Sequence, residues 1–443
     1  MRRTLLAVVV LIGLVLVSAP PAAAGNQQRY IVRTSGGLLS VLRLCQTLNC
    51  QVQGALDGSV GQTYLVTSSG GLVSNLLNFT QNLLTSLLGI KSIEPDSLLS
   101  MPAVPQANPA AGLSDTAAVN YYGTMVWHGY AAQPAAQIVR LADAQASFRV
   151  TGSGVIVADI DTGVDVNHPV LMPVLLRGYD FTRNQPGASE WLDVSSLPNG
   201  PSDSDSQEAQ PAFVQQSTAA VLDQSTAAVL DSGPYAAFGH GTMTAGMIHL
   251  VAPKAQILPL KAFSSDGTGY LSNIIAALYY AAQNGAGVVN MSFDLKSSSP
   301  ALNDAVTYAN SAGLVLVASA GNEDTNARVY PAALAGNVMG IASTTNWDAR
   351  SSFSNYGSAD VWIAAPGENI ISTYPGGLFA SESGTSFSSP MVAGAAALLF
   401  DAKGNLNQSK AASALAHARN LTPDLNNGRL DLYQAVLAWL SAR

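Results

Sequence analysis

The stretch that most limits what this chain can fold into is Gly384 to Phe400, GTSFSSPMVAGAAALLF. It opens on small and hydroxyl residues and turns into an unbroken run of small and apolar ones. That pattern reads as a buried helix with Ser386 at its N-terminal tip. Pro390 is expected to be tolerated there, because first-turn amides have no intrahelical partner to lose. Ala393, Gly394, Ala395, Ala396 and Ala397 let neighbouring elements approach closely. A serine at a helix N-terminus lies where backbone N–H groups and the dipole favour negative charge. Such a serine can be a plain helix cap. It also suits a nucleophile whose reaction creates an oxyanion, and the rest of the chain decides between the two.

Residues 1 to 24 read as a secretory signal. Arg2 and Arg3 form a short basic region, Leu5 to Val17 is apolar, and Ala22 to Ala24 offers a small-residue cleavage site before Gly25. The apolar core is short for a membrane span, and no later stretch resembles one, so no membrane association is expected after cleavage. Charged residues are 11% of the chain, against roughly 25% in typical soluble domains, which agrees with export. A net charge of −8 argues against a nucleic-acid partner. The two cysteines, Cys45 and Cys50, can close one small loop in an oxidising compartment. They are too few to favour a zinc site or a cysteine protease.

Residues 29 to 95 read as a small separate domain. Strands are expected at Arg29–Arg33, Gln62–Thr67 and Ile90–Asp96, with helices at Leu38–Leu48 and Leu72–Leu88. The order suggests a ferredoxin-like split βαβ unit. Met101 to Gly112, rich in Pro and Ala, reads as a linker.

From Val155 onward, apolar runs alternate with helix-like segments. The runs are Val155–Asp161, Ala255–Leu260, Val288–Met291, Leu314–Ala318, Val338–Ala342 and Val361–Ala364, with helices expected at Leu271–Gln283 and Ala301–Ala312. This α/β alternation predicts a parallel sheet with helices on both faces. Sites in such sheets form at the carboxyl ends of strands, where Asp161, Ser292 and Asn322 fall.

Asp161 ends the run VIVADID, and Asp159 points to the same side; the pattern alone does not separate the two carboxylates. His240 is bracketed by Gly239 and Gly241, unlike His128, His168, His249 and His417. Asn322 follows Gly321 directly after an apolar run, as a turn residue or as an amide aimed at developing charge. These four types belong together chemically. A serine hydroxyl needs a base within hydrogen-bond reach, histidine has a suitable pKa, and a buried carboxylate holds the imidazole in one tautomer. A preorganised amide donor meets the oxyanion.

The segments ADIDTGVDVNHP, FGHGTMTAGMI, ASAGNED and GTSFSSPMVAGAAAL resemble the subtilisin-like serine proteases, in that family's Asp…His…Asn…Ser order. The resemblance spans about residue 127 to the C-terminus. It implies that Asp161 orients His240, that His240 is general base and then general acid, that Ser386 is the nucleophile and that Asn322 stabilises the oxyanion. It also selects Asp161, followed by Thr-Gly, over Asp159. It implies a subtilisin-like three-layer fold, preceded by a ferredoxin-like inhibitory propeptide (25–100) whose last strand resembles Ile90–Asp96, with a linker at 101–126 holding or adjoining the maturation site. Ser292, Phe293 and Asp294 resemble one substrate-flanking strand, and Gly267 and Gly269 belong to the opposite one. An extended polypeptide would lie between them as an added strand. The expected partners are polypeptide substrates and the chain's own propeptide, around a monomer.

Four departures from the family stand out. Asp294 replaces a common glycine, where a carboxylate narrows the pocket or favours a basic side chain. Met391 replaces the usual histidine after Ser-Pro. The chain runs from Met243–His249 almost directly into Val251-Ala252-Pro253, so the calcium loop of many relatives is essentially absent; no calcium site is assigned, and the chemistry needs no cofactor. An insertion at about 182–236 carries the acidic run Ser202–Glu208 and the octapeptide QSTAAVLD twice, at 216–223 and 224–231. The acidic run reads as a solvated loop before a calcium ligand set. The expected activity is a secreted serine endopeptidase made as a self-inhibited precursor. The rival is a silent scaffold on the same frame, which the four filled positions disfavour. An α/β-hydrolase esterase is disfavoured because Gly384-Thr-Ser386-Phe-Ser388 lacks the second glycine of G-x-S-x-G.

Overall fold

A computed structural model describes residues 27–69, 89–101, 110, 112–194, 214–215 and 235–442. The expected signal (1–24), the second helix of the small domain (72–88), most of the linker, the acidic run and the octapeptide repeat lie outside the described residues.

The N-terminal part comprises β1 (Gln28–Thr34), α1 (Gly37–Leu48), β2 (Cys50–Ala55), β3 (Thr63–Ser68) and β4 (Ile90–Pro95). The strands form an antiparallel sheet in the order β2-β3-β1-β4. This is the strand order of the expected split βαβ unit; Cys50–Ala55 supplies a strand the sequence pattern had not delimited. Cys45 near the end of α1 is disulfide-bonded to Cys50 at the start of β2, across a turn in which Asn49 takes up left-handed backbone.

After β4 comes a three-residue strand, β5 (Leu98–Ser100). A hairpin follows, β6 (Ala118–Tyr121) with β7 (Thr124–Trp127), and then α2 (Leu141–Phe148). The main sheet begins with β8 (Ile156–Asp161), β9 (Tyr179–Asp180) and β10 (Gln185–Pro186). It continues through α3 (His240–Val251), β11 (Gln256–Lys261), β12 (Thr268–Tyr270), α4 (Leu271–Gln283), β13 (Val288–Met291) and α5 (Pro300–Ser311). Next are β14 (Val315–Ser319), β15 (Met339–Thr344), β16 (Ile363–Pro366), the hairpin β17 (Ile370–Tyr374) with β18 (Leu378–Glu382), α6 (Thr385–Lys403) and α7 (Leu432–Ser441).

The eight described strands of this sheet run β10-β9-β11-β8-β13-β14-β15-β16. All pairs are parallel except the antiparallel edge pair β10–β9. The sheet is therefore mixed at one edge rather than wholly parallel. Both faces are covered, so alternate residues of one strand feed two cores. Val157, Val288, Val315 and Val317 pack with α3 and α6, whereas Ala158, Val289, Leu316 and Ala318 pack with α4 and α5. Double-sided burial is why these strands read as continuous apolar runs. Strand β8 lies between β11 and β13, so successive connections leave it in opposite directions. Its carboxyl end is a topological switch point, and Asp161 is the residue there.

The N-terminal part docks on the opposite layer. Asp96 Oδ1 accepts from Ser272 N at 2.8 Å, and Glu94 Oε1 accepts from Ala301 N at 2.8 Å. These carboxylates thus meet the N-termini of α4 and α5, where unpaired amides and the dipole favour negative charge. Strand β5 then pairs antiparallel with β12, and Met101 N donates to Gly267 O at 2.8 Å. Among the described residues, no helix is long and apolar enough to cross a membrane.

Candidate active site

Asp161 is buried at the end of β8; the chain bends at Thr162 where a turn is expected, and Gly163 takes a positive φ of 103°. The N-terminus of α3 is pressed onto this turn: a Cβ on Gly241 would lie 2.0 Å from Gly163 O. Only glycine permits that approach, and it delivers His240 to the carboxylate. His240 Nδ1 meets Asp161 Oδ1 at 2.8 Å with both side chains buried. Burial alone would lower the imidazole's pKa. The Asp161 charge and hydrogen bond, with Asp159 and Glu382 further off, outweigh it and hold the pKa above the ordinary 6.5.

Ser386 is the second residue of α6, and the ring of Phe387 lies 5.6 Å from that of His240, centroid to centroid. Pro390 is not in the first turn, as expected, but in the second, because the helix starts at Thr385. Lacking an N–H, it frees the carbonyl four residues back, which is that of Ser386. Ser292 Oγ fills the vacancy, donating to Ser386 O at 2.9 Å. In return Ser386 Oγ donates to Ser292 O at 3.3 Å rather than to His240.

Asn322 follows β14 and turns its Oδ1 to Thr385, accepting from its N at 2.9 Å and its Oγ1 at 2.8 Å. The amide orientation is thereby set. Its Nδ2 faces Gly384, two residues from Ser386. Asp161, His240, Asn322 and Ser386 thus come from four distant segments to one sheet edge. The residues expected to flank substrate are more mixed. Gly267 and Gly269 line the edge on which β5 lies. Phe293 is fully buried against Phe263 in the core beneath α4 and α5, and its carbonyl accepts from Ser319 Oγ at 3.3 Å. Asp294 is buried and its charge is met on one oxygen by Lys296 Nζ at 3.1 Å, with Glu323 on the same lysine.

The family model described as Subtilase family matches residues 152–434. The chain belongs to the subtilase family. As a subtilase it is a serine-type endopeptidase. Thermitase of Thermoactinomyces vulgaris is 34% identical over 303 residues, covering 64% of this chain and 89% of that protein. Subtilisin BL of Lederbergia lenta is 43% identical over 170 residues, 36% of this chain and 62% of its own length. A solved cold-adapted subtilisin-like serine proteinase aligns at TM-score 0.50 and 30% identity, over 63% of this chain and 89% of that one.

Three charged groups escaped the sequence reading of this subtilase. Glu190, in the segment read as an insertion, accepts from Gly239 N at 2.6 Å and Thr242 N at 2.8 Å, capping the helix of His240. Burial pushes its pKa up to about 7, against the pull of Lys261. Lys261 is fully buried behind Asp161, donating to Thr162 O at 2.6 Å, Phe263 O at 2.7 Å and Asp193 Oδ2 at 2.8 Å. No local pattern marks Glu190 or Asp193. Lys261 could have been noticed as a lysine ending an apolar run. Among the described residues, no group of three His, Cys, Asp or Glu is arranged to hold a metal ion. The end of α3 is held by Tyr121 Oη, which donates to Leu250 O, and by Gln145 Nε2, which donates to Val251 O at 3.0 Å.

Proposed function

We propose that this subtilase is a secreted endopeptidase, made as a self-inhibited precursor, that cleaves extended polypeptides through Asp161, His240 and Ser386. The observation that carries the reading is the buried 2.8 Å contact of His240 Nδ1 with Asp161 beside the N-terminus of the Ser386 helix. Asp161 fixes the tautomer that leaves Nε2 free as a base. A rotation of Ser386 about χ1 takes Oγ from Ser292 O toward that nitrogen, the tightening expected when substrate enters. Oγ attacks the scissile carbonyl, and His240 takes its proton and hands it to the leaving amine. The oxyanion meets Asn322 Nδ2 and the Ser386 N–H at the helix tip. The acyl-enzyme is then hydrolysed by water with His240 again as base.

Residues Gly267 and Gly269 on one side and Ser292 to Asp294 on the other would take substrate as an added strand. The pairing of β5 with β12 supports both this mode and self-inhibition, because the chain's own tail lies on that edge. Residues 1–24 support export, followed by loss of 25 to about 100. The test is expression of residues 25 to 443, wild type beside Ser386→Ala, followed by intact mass and N-terminal sequencing. We expect the wild type to shed its first domain and then digest casein, with Ser386→Ala doing neither. Shedding by both proteins, or casein digestion by Ser386→Ala, would overturn the reading.

A further inference from the structure

Asp161 is not the only carboxylate that β8 offers to α3. Asp159, two residues earlier and on the same face, is buried, and its Oδ2 contacts Thr244 Oγ1 at 2.8 Å. Thr244 is four residues after His240. Two residues of strand span about 6.6 Å and four of helix about 6 Å, so Asp161–His240 and Asp159–Thr244 are two rungs between one strand and one helix.

The second rung continues towards the serine. Asp159 Oδ1 accepts from Asn290 Nδ2 at 2.8 Å, directly across the sheet on β13. Asn290 Nδ2 also reaches Ser292 Oγ at 2.9 Å, and Asn290 Oδ1 accepts from Ser389 Oγ at 2.7 Å. Ser292 Oγ bonds Ser386 O, as described. One buried carboxylate is therefore the junction of the strand of Asp161, the helix of His240 and the helix of Ser386. The four other side chains of this web are uncharged, so nothing else in it can carry a charge at neutral pH.

We propose that Asp159 is a positioning residue of this subtilase, tying the His240 helix and the Ser386 helix to the strand of Asp161. The inference rests on the proposed triad. A buried negative charge here also favours the imidazolium form of His240. The charged groups facing it are Asp161 on its own strand and His240 on α3. Asn290 and Ser389, from β13 and α6, are neutral, while Lys261 lies behind Asp161, and Glu190 and Glu382 stand further round His240. Burial and Asp161 push the Asp159 carboxyl up to about 7, so its ionisation falls within the working range of the histidine.

Two variants separate tie from charge. In Asp159→Asn every hydrogen bond can be kept: the new amide accepts from Asn290 and donates to Thr244 Oγ1, which turns its proton to Gly241 O, 3.0 Å away. The charge alone is lost. The acid limb of kcat/KM should move down by about 0.5 pH unit or more, with kcat on the plateau within about two-fold of wild type. Thr244→Val keeps the carboxyl group but cuts the tie; losing this hydrogen bond raises the Asp159 pKa further, so the comparison is made on the alkaline plateau, where kcat should fall about ten-fold with KM within about two-fold. Rates are counted per active site titrated with a serine-directed phosphonate, which removes misfolded protein from the comparison. An unmoved acid limb in Asp159→Asn together with an unchanged kcat in Thr244→Val would overturn the proposal. If wild type binds no phosphonate and cleaves nothing, the protease reading fails instead.

Discussion

The exchange of carbonyls between Ser386 and Ser292 gives a sharp stability prediction. Pro390 leaves Ser386 O without its helical donor, and Ser292 Oγ supplies one at 2.9 Å in a fully buried site. Ser292→Ala removes the donor and leaves an unsatisfied carbonyl, and it also takes an acceptor from Asn290. An orphaned buried group costs about 1–3 kcal/mol, which for a domain of this size lowers the melting temperature by roughly 2–5 °C. The second substitution makes the reasoning exact about cause. In Pro390→Ala the new amide can donate to Ser386 O as in any helix. Alone it should change little, because the carbonyl already has a partner. Combined with Ser292→Ala it should recover at least about 1 kcal/mol of the loss. All four proteins are made in a Ser386→Ala background to stop self-digestion and are compared by thermal melting at one scan rate. If the two substitutions add within about 0.5 kcal/mol, the proline has not created the vacancy that Ser292 fills, and the argument is wrong.

Further outcomes follow from the charges and the α3 terminus. His240 has its pKa raised in the folded state, so its pairing with Asp161 contributes stability fully present below the ordinary histidine value of about 6.5 and lost as pH rises through the higher folded value. In the Ser386→Ala background, His240→Ala should therefore cost more melting temperature at pH 5.5 than at pH 9, and an equal cost at both would refute this. The activity of the wild type runs the other way, falling as pH drops through the raised value because the base must be neutral. Tyr121 and Gln145 already occupy Leu250 O and Val251 O, so a chelator should shift the melting temperature by less than about 1 °C, whereas Tyr121→Phe should lower it by about 1–2 °C for a loss near 1 kcal/mol. A large chelator effect would point to a structural cation.

Much of this fold is legible in the sequence because its strands are buried on both faces. Val288–Met291 and Leu271–Gln283 appear with the bounds their residue patterns suggest, and the other main runs differ by one or two residues at their ends. The four segments around Asp161, His240, Asn322 and Ser386 were legible for a different reason: glycines and small residues mark where backbones must touch. What was not legible depends on partners far away in the chain. Glu190 is held by amides 49 and 52 positions on, and Lys261 by carbonyls and a carboxylate from three segments. Neither leaves a periodic trace. The placing of the Phe293 ring was legible as well. The alternation of Val289 and Met291 into the core beneath α4 and α5 places the ring of Phe293 in that same core.

The position of α6 has a consequence for the making of the molecule. It is the helix on which β13, β14, β15 and β16 all close their upper face, and it comes late. Asp161 and Ser386 are 386 − 161 = 225 positions apart, which is on the order of 20 s of synthesis at the usual pace of 5–20 residues per second. During that interval the growing chain lacks the serine proposed as its nucleophile and so, on that proposal, cannot attack its neighbours. It does have a row of apolar strands whose covering helix has not yet been made. On that proposal the danger posed by an unfinished copy is stickiness rather than digestion, and a cell making this protein has more need of a holdase than of an inhibitor until α6 has been made.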